Sequence, residues 1–147
     1  SKDEPAQAAE HFTKAIKANP FVAAPYVALA DLYRHWDYSD QAIQVASQGL
    51  PHIVGADKTQ VYYSLGMAHN DKRQDEKAID AFSKALDEKA DNHLAKFMRG
   101  QAYFRSGDLT RAQKDLEAFN KSAGGKFEFE KAQANKLLMD IAFKKSQ

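Results

Sequence analysis

Residues 59–92 read TQVYYSLGMAHNDKRQDEKAIDAFSKALDEKADN, and the spacing of apolar residues in this stretch decides the fold. In its first half Tyr62, Leu65, Gly66 and His69 fall at i, i+3, i+4 and i+7, which places them on one face of a helix. In its second half Ala78, Ile79, Phe82, Ala85 and Leu86 do the same, with Asp, Glu and Lys on the opposite side. A polar turn joins the two. One such hairpin cannot bury either stripe by itself, so the unit requires copies of itself on both sides.

Those copies are in the chain. Ala78, Phe82 and Ala85 correspond to Ala42, Ala46 and Gly49, 36 residues earlier, and these to Ala8, Phe12 and Ala15, 34 earlier still. In the other direction, a step of 34 reaches Ala112, Leu116 and Phe119. The first helix keeps the same period: Tyr26, Leu29, Ala30 and Tyr33, then the 62–69 set, then Lys96, Arg99, Gly100 and Tyr103. A last step reaches Ala134 and Leu137. Two helical patterns sharing one period mark a helical repeat array. The recurring small residues are expected where helices cross closely, because a larger side chain there would overpack.

The arrangement resembles the tetratricopeptide repeat family, whose period is 34 residues and whose unit carries bulky-x2-Leu-Gly-x2-Tyr, then Ala-x3-Phe and Pro. Tyr62-x2-Leu65-Gly66 and Gly100-x2-Tyr103 match the first element, and Ala8-x3-Phe12-x2-Ala15-x4-Pro20 matches the second. Ser106-Gly107-Asp108-Leu109 looks like the turn between helices. Lys96 and His69 depart from the pattern, and no closing Pro follows in the later repeats. The resemblance implies an all-α fold, a right-handed superhelix of stacked antiparallel helix hairpins with a C-terminal capping helix. On that register the single domain 1–147 divides into a half repeat (1–22, second helix only), repeats at 23–58, 59–92 and 93–126, and a cap at 127–147. Ser39 or Asp40 is expected to cap the helix over Gln41–Gly49, and Gly124-Gly125 to close the fourth repeat as a C-cap and hinge. The half repeat and the initial Ser1 suggest a fragment or mature form of a longer protein.

Chemistry-bearing patterns are scarce. The five histidines (His11, His35, His52, His69, His93) show no zinc-like spacing, and the chain has no cysteine, no P-loop and no dinucleotide-binding fingerprint. An enzyme is therefore not expected, nor a cofactor or a metal. A net charge of +1 argues against a generic nucleic-acid binder, which carries a basic excess. No apolar run approaches the roughly 18 residues of a membrane span. The compartment is not legible: a cytoplasmic site is the default, and a periplasmic one follows if a leader has been removed.

Binding remains. In the family the first helices line an inner groove at the second, fifth, ninth, twelfth and thirteenth positions of each repeat. By resemblance the partner-binding groove is expected at Val27, Asp31, Arg34, Tyr63, Met67, Asn70, Phe97, Gln101, Phe104 and Arg105. Its apolar spine would be Val27, Tyr63, Met67, Phe97 and Phe104, suited to an extended or helical segment with apolar anchors. Against this stands the ordinary reading of aromatics at helical spacing as core. The Lys and Asn of the family's carboxylate clamp are absent from the expected positions, which read Val27/Asp31, Tyr63/Met67 and Phe97/Gln101. The implied function is a protein–protein interaction scaffold or adaptor that binds a partner peptide or protein segment in the concave groove. A homo-oligomer formed through the N-terminal half repeat is a second expectation, and a bacterial pilus-assembly or secretion-chaperone role a third.

Overall fold

The computed structural model describes residues 4–147; residues 1–3 of the expected half repeat lie outside the described residues. Eight α-helices follow one another: α1 Glu4–Ala18, α2 Ala23–His35, α3 Ser39–Gly49, α4 Lys58–Asp71, α5 Asp75–Glu88, α6 His93–Ser106, α7 Leu109–Ser122 and α8 Glu128–Lys145. No strand occurs among the described residues. The pairs α2/α3, α4/α5 and α6/α7 are antiparallel hairpins, each packed on the next, with α1 against α2 and α8 against α7 and α6. The longer connection after α3 folds into two short 3-10 turns, Leu50–His52 and Gly55–Asp57, and Ile53 between them is buried against Tyr26, Ala46 and Val61.

Local chemistry sets the helix ends, not always through the residues expected. Gly107 sits at φ 89° and stops α6, a conformation that costs an L residue about 1–2 kcal/mol. The Asn92 side chain accepts from the backbone N–H of Ala95 and caps α6, and Asp108 accepts from Arg111 N–H and caps α7, both at 3.1 Å. Two capping expectations are corrected. Ser39 and Asp40 lie inside the first turn of α3, which follows Tyr38 without a side-chain cap. Helix α7 ends before Ala123, and neither Gly124 nor Gly125 has a positive φ, so no glycine caps it.

The small residues act as spacers. Ala30, Ala42, Ala78, Ala112 and Ala134 have no exposed surface. A Cβ on Gly66 would lie 2.5 Å from the Phe82 ring, so the absence of a side chain is what lets α4 and α5 cross. The core stripe of α4 is nevertheless not the expected one. Tyr62, Leu65 and His69 are only half-buried, whereas Thr59, Val61, Ser64, Gly66 and Ala68 are buried. The reason is that α4 is covered from two sides, by α5 and by the preceding pair α2/α3. In α6 the polar Arg99 at a core position is resolved by Asp115 of α7, which it grips with two hydrogen bonds of 2.7 Å while also donating to Ser83. That bonding to Asp115 holds the Arg99 guanidinium protonated beyond its ordinary range.

Candidate functional site: the cleft between α2 and α4

The first helices α2 and α4 leave an open cleft along their shared face. Its N-terminal half is lined by Val22, Ala23, Ala24, Val27, Ala28, Asp31, Asp57 and Gln60 and encloses about 610 Å3. Its other half, about 500 Å3, is lined by Asp31, Arg34, His35, Asp37, Asn70, Asp71 and Arg73. Asp31 belongs to both halves, so the cleft runs the length of α2, about 20 Å at the α-helical rise. Small apolar side chains at one end give way to charged ones at the other.

Three of the expected groove residues, Arg34, Asn70 and Arg105, are held in cross-links instead of standing free. Arg34 holds Asp71 with its Nε at 2.8 Å and its Nη2 at 3.3 Å, tying α2 to α4. Arg105 donates to Asp75 at 3.0 Å and to the Asn70 side-chain oxygen, tying α6 to the α4/α5 turn. The Arg34–Asp71 pair stands in the lining of the cleft's charged half. Asp31 is less well served: the Ser64 hydroxyl donates to it at 3.4 Å and Arg34 Nη1 stands 3.8 Å away. Its side chain is 53 % exposed, and partial desolvation beside Arg34 and Ser64 still pushes its carboxyl above the usual carboxylate range.

The apolar spine divides. Val27 is half-buried and lines the cleft, whereas Tyr63 and Met67 are half-buried against the cluster of Ala78, Phe82, Ala85 and Ala95. Tyr63 packs on Phe82 with ring centroids 5.8 Å apart, and burial pushes its phenol up to about 12. Phe97 is the correction: it is 3 % exposed, stacked on Phe119 at 5.2 Å within the cluster that holds Ala134 and Ile141 of α8. Phe104 packs against the same cluster, and the Lys144 ammonium of α8 lies 5.0 Å over its ring. Gln101 is half-buried beside it. Helix α8 thus covers the α6 part of the expected groove, and Phe97 is core. The cleft residues that sequence reasoning missed are Val22, Ala23, Ala28, Asp37, Asp57 and Arg73. Only Asp37 and Arg73, turn residues with φ of 63° and 58°, belong to a motif a sequence reader would inspect.

Residues 59–92 match the model of the tetratricopeptide repeat. No curated protein sequence matches the chain. Among solved structures, the Yersinia enterocolitica type III secretion chaperone SycD in complex with a peptide of the translocator YopD superposes with a TM-score of 0.75 at 16 % identity, over 82 % of this chain and 92 % of that one. YrrB, a TPR protein with an unusual peptide-binding site, superposes with a TM-score of 0.75 at 19 % identity, over 100 % and 73 %. The chain has the tetratricopeptide repeat fold. MamA superposes with a TM-score of 0.69 at 21 % identity, over 99 % of this chain and 92 % of that one. In TPR terms α2, α4 and α6 are first helices and α3, α5 and α7 second helices.

Proposed function

We propose that this chain is a protein-interaction module, an adaptor without catalytic activity, whose α2–α4 cleft takes up an extended or helical segment of a partner protein. The observation that carries the reading is the cleft itself: an apolar half continuous with a charged half, with its walls fixed by cross-links between neighbouring helices. Similarity of fold to SycD with its YopD peptide supports it, since that scaffold accommodates a peptide. Of the expected groove residues, Val27, Asp31, Tyr63 and Met67 are the ones we assign to partner contact. Arg34, Asn70 and Arg105 shape the rim, and Phe97, Phe104 and Gln101 lie in or beside the core under α8.

The charge of the cleft specifies the partner further. Asp31, Asp37, Asp57 and Asp71 face it against Arg34 and Arg73, and Arg34 is already neutralised by Asp71. An acidic lining selects a segment carrying small apolar anchors next to a lysine or arginine. The test is titration of the chain with two labelled peptides of equal length, one alternating Leu with Lys and one alternating Leu with Glu. We expect the basic peptide to bind at least ten-fold more tightly and to lose that advantage in Asp31→Asn. Equal, weak binding of both peptides, unaffected by Val27→Glu, contradicts the assignment of the cleft.

A further inference from the structure

Helix α8 has two apolar sides. One, with Ala134, Leu137, Leu138 and Ile141, packs on α6 and α7. The other is bare: Phe129, Met139 and Phe143 are 71 %, 73 % and 67 % exposed, and Ala132 is exposed between them. With Lys136, these residues run 129, 132, 136, 139, 143, alternating steps of three and four, the seam by which one helix packs lengthwise on another. The stripe is about 21 Å long at the helical rise. A cap facing only water has no use for three large apolar side chains in line.

We propose that this stripe is a self-association surface, on which α8 pairs antiparallel with α8 of a second copy of the chain about a two-fold axis near Lys136. The stripe complements itself in that arrangement. Phe129 lies beside the partner's Phe143, and Ala132 beside the partner's Met139, small against large. Lys136 comes within reach of the partner's Asp140; among the described residues neither Lys136 nor Asp140 forms an ion pair within the chain. Glu128, at the start of the helix, runs alongside the C-terminal end of the partner's α8, whereas a parallel pair sets the two Glu128 side by side. Pairing by symmetry also makes every contact count twice. The second copy therefore associates through the end of the stack opposite to the half repeat, and the α2–α4 cleft stays open in each protomer.

Sedimentation of the whole chain over a range of concentrations tests this, with helical content monitored by circular dichroism. The expected result is a reversible dimer whose dissociation constant rises at least ten-fold in Met139→Glu and in Phe143→Asp, both fully helical because these side chains are exposed. Lys136→Asp and Asp140→Lys should each weaken the dimer, and the double exchange should restore it. Because the chain has no cysteine, Lys136→Cys introduces a single thiol that should cross-link to its own copy on oxidation, while His11→Cys should not. A chain that stays monomeric at all concentrations overturns the proposal. So does a dimer insensitive to the α8 substitutions, or one cross-linked through residue 11 alone.

Discussion

Phe97 and Tyr63 occupy the same register position in successive repeats, yet Phe97 is fully buried and Tyr63 half-buried. The distinction lies in what packs against each: Phe97 sits in the cluster that holds Ala134 and Ile141 of α8, and Tyr63 packs on Phe82 of α5. No local pattern around Phe97 announces this, because the placement of the cap is a tertiary fact. The period itself was legible, and with it the small spacer residues. Phe97→Ala is accordingly expected to destabilise the fold by about 3–5 kcal/mol, the range for a buried aromatic, measured by chemical denaturation. Gly66→Ala should cost about 1–3 kcal/mol through the clash with the Phe82 ring. Asp31 behaves oppositely. Burial raises its carboxyl in the folded chain, so the fold holds that proton more tightly than the unfolded chain does. The contribution of this group therefore favours the fold as pH falls toward the carboxylate range and opposes it at neutral pH. Asp31→Asn is expected to leave the melting temperature unchanged or slightly raised at pH 7, with the difference from the native chain vanishing in acid. A clear drop at pH 7 means that the Ser64 and Arg34 contacts outweigh burial.

At the scale of elements, α1 and α2 span Glu4–Ala18 and Ala23–His35, divided at Asn19-Pro20, because proline disfavours helix at the residue before it. The ends of α3 and α7 were not legible: Tyr38 and Ala123, which carry no capping signal, are the flanking residues there. The polar core of α6 was hidden for another reason. Arg99 looks misplaced until Asp115, sixteen residues on, is seen to face it. Asp115→Ala should cost about 3–5 kcal/mol, because it strands a half-buried guanidinium. Helix α1 packs chiefly on α2 and has no fully buried residue between 6 and 18. Its amides over residues 8–16 are expected to exchange with solvent well before those of residues 78–86 in α5, which is packed between α4 and α6. Equal protection of the two segments in hydrogen-exchange mass spectrometry contradicts that ranking.

The whole molecule is a stack whose central hairpins are held on both sides, leaving a cleft on the first helices and two differently finished ends. The asymmetry is that α8 covers part of α6, and the cleft over α2 and α4 stays open. The sequence reading placed the groove on the first helices but spread it evenly over three repeats, since a periodic pattern carries no information about where an end helix folds back. The acidic lining makes binding salt-dependent: binding of a basic segment should weaken measurably as ionic strength rises to physiological values, where the Debye length is about 8 Å. The most direct test of the central claim is a peptide-display selection against the whole chain, followed by hydrogen exchange of the chain with and without the selected peptide. The account predicts sequences pairing small apolar residues with Lys or Arg, and new protection confined to α2 and α4. Protection concentrated on the second helices α5 and α7, with α2 and α4 unchanged, would contradict it.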